Sequence, residues 1–327
     1  MGYRCIIAGG RHRVAVGPGG AGRASRDAAA AGGVHDGRCY GPRVARSDTG
    51  RWRAALEGFT EESFEAHGKR RTIFRGGSGP AVIVISEMPG ITPDVAAFGR
   101  KVVAAGCTVV MPSLFGDPGR PPSGADLFES IGPACVSREF SSLALKRTSP
   151  ITVWLRKLAA AEHERCGGPG VGVVGMCFTG GFALAMMVDD IVLAPVLSQP
   201  SLPFPVSKKH KADIGISDAD LSRVKQRTSE GACLLGLRFS NDPFCREDRF
   251  ATLKRELGDA FIAVEIDSSP GNPHGHPAKA HSVLTEHLQD REGTPTRAAL
   301  DQTLTFLREK LGVGPGPRPG PGAGPVD

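Results

Sequence analysis

An α/β fold, with a doubly wound, mostly parallel sheet flanked by helices, is what this sequence predicts. Three observations carry the expectation. Short, wholly apolar runs recur along the chain, as AVIVIS, CTVVM and VGVVG. Segments with apolar residues at helical spacing separate them. Each apolar run ends in a polar or glycine-containing turn. Strands buried on both faces and joined through helices read this way, because parallel neighbours need long crossovers that cover the sheet.

Taken in order, 81–86 is the first buried strand, and 93–105 is a helix with Val95, Phe98, Val102 and Val103 on one side. A strand at 107–111 follows, ending at Pro112. The spacing of Trp154, Leu155 and Leu158 predicts a helix over 151–161. Strand 171–175 leads into helix 180–188, and strands follow at 190–195, 232–237 and 260–266. Helices at 246–257 and 296–310 complete the pattern. The segment 198–231 is long for a bare connection and is expected to form a lid or cap.

Charge divides the 327-residue chain unevenly. Residues 1–55 hold ten Arg, no Lys and three Asp, a net +7 against +6 for the whole chain, so the remainder carries −1. The basic character therefore belongs to a Gly/Ala/Arg-rich leader and does not mark a nucleic-acid surface on the folded part. That leader lacks the apolar content to offset ordering entropy and is expected to be disordered. An organellar transit peptide and translation begun upstream of the true start are the alternatives. The folded domain is expected over 56–312, with 313–327 a disordered Pro/Gly tail. No stretch approaches the roughly 20 apolar residues of a membrane span. A cytoplasmic protein with a small-molecule substrate, no nucleic-acid or membrane partner and no cofactor is expected, and the sequence is silent on oligomeric state.

The eight cysteines include no C-x-x-C pair, and the histidines lack a second ligand cluster, so no metal site is expected. One cysteine stands apart. In Gly175-Met176-Cys177-Phe178-Thr179-Gly180-Gly181 a strand turns sharply into a helix. A nucleophile elbow needs that layout: a strained nucleophile backbone, small neighbours, and helix N–H groups that favour thiolate. A buried structural cysteine in a tight turn is the competing reading. Downstream, Asp242 follows one predicted strand and His274 follows the last. Cys177, Asp242, His274 is the nucleophile, acid, histidine order of α/β-hydrolases, and ligands in such sheets bind beyond the strands' carboxyl ends. Asp242 lies in Ser-Asn-Asp-Pro, which also reads as a turn or helix cap, and His276 and His281 compete with His274. The oxyanion would face the backbone N–H groups of Phe178 and Met88.

At these residues the chain resembles the dienelactone hydrolases. VISEMPGI is similar to that family's first buried strand and functional glutamate, placing it at Glu87. MPSLFG at 111–116 resembles its proline-led loop, VGVVGMCFTGGFAL its cysteine elbow, and PGNPHGH at 270–276 its histidine loop. The resemblance spans roughly 65–290. It implies an α/β-hydrolase fold and a cysteine-dependent hydrolase of small carboxylic esters or lactones. Glu87 would accept or share the Cys177 proton, and Cys177, Asp242 and His274 would form the triad. Two departures are plain. Thr179 stands where the family elbow has Gly, and the arginines that grip the substrate carboxylate have no counterpart, the nearest basic residues being Arg120 and Lys279. A catalytically silent hydrolase-fold protein that binds a carbonyl ligand, and a redox-sensing thiol protein, are the other readings.

Overall fold

The apolar runs become strands because each side of each strand has a helix to pack against. The computed structural model describes residues 52–122, 149–202, 204 and 206–314. The expectations for most of the leader and for all but the first residues of the tail lie outside the described residues.

The chain builds one 8-stranded sheet: β1 Thr60–Ala66, β2 Lys69–Gly77, β3 Ala81–Ile85, β4 Thr108–Pro112, β5 Val171–Met176, β6 Val192–Ser198, β7 Leu234–Phe239 and β8 Phe261–Ile266. Their order is β1-β2-β4-β3-β5-β6-β7-β8. From β4 to β8 every pairing is parallel, whereas β1–β2 and β2–β4 are antiparallel. The helices are α1 Pro93–Ala104, α2 Pro150–Cys166, α3 Gly180–Met186, α4 Lys208–Ala212, α5 Asp218–Ser229, α6 Glu247–Leu257 and α7 Pro295–Lys310. Ser or Thr hydroxyls cap the N-termini of α1, α2 and α7, and each of the three has Pro in its first turn.

Alternation within the continuous apolar strands sorts the core into two layers. Ile83 and Ile85 of β3 join Val173 of β5 and Trp154, Leu155 and Leu158 of α2, together with α3, Val224 of α5 and Phe250 of α6. Val82 and Val84 point the other way, toward Val95, Phe98 and Val102 of α1 and Leu300, Phe306 and Leu307 of α7. Among the described residues no helix is long and apolar enough to cross a membrane.

Three local outcomes differ from the sequence expectations. The hairpin β1–β2 is one the apolar-run criterion passes over, because β1 alternates charged and half-buried residues along TEESFEA. His67 and Gly68, both at positive φ (50° and 70°), form its two-residue turn between the paired Ala66 and Lys69. Second, β6 does not end at Pro195 but runs on to Ser198. A register shift opposite Val171/Gly172 leaves Leu193 as an extra residue, and the pairing resumes through Ala194 and Pro195. Third, the segment after β6 carries α4 and α5 over the α6 side of the sheet, with Arg249 of α6 donating to the carbonyls of Pro200, Asp213 and His210. Ahead of β1, a 3-10 turn at Ala54–Leu56 buries Leu56.

Ile83 is fully buried and pairs with both Val110 and Val173. Ile83→Ala is expected to lower unfolding free energy by about 2–5 kcal/mol, read from urea denaturation.

Candidate active site

The turn after β5 sets the position of everything else in the site. Cys177 has φ 53°, in the left-handed region that side chains rarely occupy. It opens a single 3-10 turn, Cys177–Thr179, that feeds directly into α3. Such a turn leaves no room beside it. A Cβ at Gly175 would lie 2.4 Å from the Thr179 carbonyl oxygen, and one at Gly180 would lie 2.6 Å from Pro200 Cα. Both glycines are thus steric requirements of the elbow.

Thr179, where the resemblance expects Gly, is fully buried and takes part in the turn. Its Oγ1 accepts from the Met176 N–H at 2.9 Å and sits 2.8 Å from the Ile85 carbonyl and 2.9 Å from the Met176 carbonyl. A hydroxyl has one proton, so the two carbonyls share it. The side chain ties the elbow to the end of the neighbouring strand β3.

Asp242 follows β7 and is completely buried. Oδ1 accepts from the backbone N–H groups of Phe244 (2.8 Å) and Cys245 (3.0 Å), and Oδ2 lies 2.7 Å from His281 Nδ1. Asp242 thus closes its own turn with one oxygen and meets the His281 imidazole with the other. Arg238 steadies this loop, with its guanidinium donating to the Ser240 and Cys245 carbonyls and to Glu265.

The histidine at the site is His281, not His274. His281 Nδ1 donates to Asp242, which leaves Nε2 open to other groups, and Cys177 acts on the same ring. Ser201 Oγ also lies 3.5 Å from Nε2. Burial opposes the imidazolium, but the Cys177 charge and the hydrogen bonds to Asp242 and Cys177 outweigh it, and the His281 pKa rises well above the ordinary imidazole value. His274 is exposed, its backbone carbonyl accepts from Gln289 Nε2 at 2.9 Å, and its ring lies 6.3 Å from that of His276. The reason is the path of PGNPHGH. Asn272 bonds the backbone of His276 with both ends of its amide, closing a local loop that turns His274 outward. His276 is buried against Phe239 with both ring nitrogens unpartnered, and burial, then the neighbouring His274 and His287, hold its pKa low. His281 is followed by Ser282, Val283, Leu284 and Thr285, all of them buried.

Glu87 follows β3 and is buried. Its carboxylate accepts from Ser282 Oγ (2.6 Å), from Gln199 Nε2 (3.2 Å) and from Thr285 Oγ1. Gln199, in turn, accepts from the Val283 N–H at 3.3 Å through Oε1. The glutamate thus engages the two loops that flank the elbow, and the thiol's partner is His281. Of the other cysteines, Cys107, Cys233 and Cys245 are buried, and Cys166 lies beside Arg75. Cys245, just past the Asp-Pro turn, is inside, where burial pushes its thiol pKa strongly up. No group of three or more His, Cys, Asp or Glu among the described residues is arranged to hold a metal ion.

Two outcomes follow from this geometry. Thr179→Val keeps the volume but leaves buried polar backbone groups unpaired, so it is expected to cost roughly 1–3 kcal/mol in urea denaturation, with Thr179→Ser recovering most of the loss. Folded His281 holds its proton more tightly than an unfolded imidazole. Its contribution to stability is complete below the unfolded value of about 6.5 and is lost as pH rises through the raised folded value. Cys177→Ala removes the largest favourable contribution to that shift, and NMR titration of the His281 ring is expected to give a lower pKa in the variant.

Known proteins share this architecture. A putative dienelactone hydrolase from Klebsiella pneumoniae matches with a TM-score of 0.52 at 15% identity, covering 77% of this chain and 98% of that one. A dienelactone hydrolase-like promiscuous phosphotriesterase from metagenomic libraries matches with a TM-score of 0.51 at 15% identity, again covering 77% and 98%. No curated protein sequence matches the chain. The model of the dienelactone hydrolase family matches residues 73–311, from within β2 to just past the end of α7. This chain belongs to the dienelactone hydrolase family.

Proposed function

We propose that this protein is a cysteine-dependent hydrolase of small carboxylic esters or lactones, working through a thioester acyl-enzyme. One observation carries the reading: Cys177, held at φ 53° where β5 turns into α3, acts on an imidazole whose Nδ1 is fixed at 2.7 Å by buried Asp242. A thiol, a base and an orienting carboxylate in that sequence of contacts are the parts of nucleophilic acyl transfer.

In the first half-reaction, His281 Nε2 takes the Cys177 proton and the sulfur bonds to the acyl carbon. The carbonyl electron pair moves onto oxygen, facing the backbone N–H groups of Phe178 and Met88. When the carbonyl re-forms, the acyl carbon–oxygen bond breaks and the imidazolium returns its proton to the leaving alkoxide. Water then attacks the thioester, His281 accepts its proton, and the carbon–sulfur bond breaks to release the acid and the thiolate. With a lactone, acid and alcohol stay in one molecule. Asp242 keeps its proton-accepting oxygen on Nδ1 throughout and stabilises the imidazolium. Side chains and water suffice for this chemistry. Glu87 acts on the histidine loop: its bonds to Ser282 and Thr285 fix the residues just after His281.

Short aryl esters and lactones test the reading with purified full-length protein. Cys177→Ala and His281→Ala are each expected to lower kcat/KM by at least about 10³-fold. His274→Ala, on the exposed loop, is expected to stay within about threefold of wild type. Equal turnover by wild type and Cys177→Ala would sink the proposal.

A further inference from the structure

The residues around the thiol and imidazole carry information about what the site accepts. Four phenyl rings form an arc that begins beside the elbow and ends on the histidine. Phe115, beyond β4, meets Phe178 edge-on at 5.7 Å. Phe178 tilts against Phe204 at 6.3 Å, and Phe204 meets Phe244 at 6.5 Å. Phe244 stands edge-on to the His281 imidazole at 5.4 Å. The four come from the loops after β4, β5, β6 and β7, so four separate strand ends converge on one apolar wall. Cys177 and Phe204 both pack against the same apolar cluster, which contains Phe115 and Phe178.

The wall is graded from floor to rim. Phe115 and Phe178 are buried, Phe204 is half-buried, and Phe244 is 40% exposed. Phe244 and Val206 are the exposed large apolar side chains among the described residues. An exposed aromatic beside a nucleophile and its base is apolar surface that a bound ligand can cover.

The nearby guanidinium groups are turned to other tasks. Arg249 donates to the carbonyls of Pro200, Asp213 and His210, and Arg238 to those of Ser240 and Cys245. Arg120, the nearest basic residue after β4, lies over the Trp52 ring at 5.2 Å and 3.9 Å from Asp117. A carboxylate desolvated against four phenyl rings would meet no compensating charge from these groups, and burying it unpaired is costly.

We propose that the acyl group this site accepts is uncharged and apolar, an aliphatic or aryl chain lying along Phe204 and Phe244. Phe204 and Phe244 then set the chain-length preference. The proposal rests on Cys177 as nucleophile and narrows that reading to a substrate class opposite in polarity to an anionic lactone.

The test compares p-nitrophenyl acetate, hexanoate and benzoate with mono-p-nitrophenyl adipate, which matches hexanoate in chain length but ends in a carboxylate. Full-length protein is used at fixed pH and ionic strength. Wild-type kcat/KM is expected to rise by at least about tenfold from acetate to hexanoate, because each buried methylene adds to binding in an apolar pocket. Adipate is expected to fall at least about tenfold below hexanoate, the minimum discrimination expected for a charge brought unpaired against this wall. Phe204→Ala and Phe244→Ala should each cut the hexanoate-to-acetate ratio by about tenfold, and Phe204→Leu should restore most of it. Adipate turned over as fast as hexanoate, or a ratio unchanged in both alanine variants, would overturn the apolar-acyl inference while leaving the Cys177 mechanism standing. Failure of wild type to cleave any of the four esters would overturn both.

Discussion

A backbone torsion at one residue organises the site. Cys177 cannot reach φ 53° by its own preference, since a Cβ-bearing residue meets a steric penalty there. The conformation persists because the turn around it is over-determined. β5 is anchored between β3 and β6, α3 starts within three residues, and Gly175 and Gly180 allow backbone contacts that a methyl group would block. Thr179 adds its hydroxyl to the same lock and binds the turn across to β3. The sulfur is therefore placed by the sheet, and the rest of the site is built to meet it.

Buried polar groups do the meeting, and each joins separate segments. Asp242 uses one oxygen to close its own turn and the other to hold His281, 39 residues away in sequence. Glu87 brings the end of β3 to the loop after His281, while Gln199 adds the end of β6. Arg238 and Arg249 brace the loops after β7 and β6 through backbone carbonyls. A buried charge with unmet bonding capacity would be expensive, so these groups specify where loops go by leaving few other arrangements that satisfy them.

The parts of this design legible in the sequence are those governed by local rules. The five strands from β3 to β7 are buried on both faces or nearly so, and their apolar runs announce them. The elbow is legible because its glycines and cysteine are neighbours. Asp242 is legible for the same reason, in its turn after β7. The hairpin β1–β2 hides because an edge strand can be half charged and still pair. His281 hides because its choice over His274 depends on the loop's path in space, and a Gly/Pro/His-rich segment nearby has the composition of a histidine loop while facing solvent. Thr179 reads in sequence as a departure from a glycine pattern; only the nearness of the Ile85 carbonyl turns it into a structural tie.

The Glu87 cluster also bears on how the molecule breathes. The Val283 amide is buried and bonded to Gln199, whose own amide is bonded to Glu87. Releasing the histidine loop alone would unpair a carboxylate, an amide and two hydroxyls together. Opening this loop breaks several buried polar pairs at once, so it costs more than the fraying of an exposed loop. The same buried cluster thereby ties the segment after His281 to the ends of two sheet strands, β3 and β6.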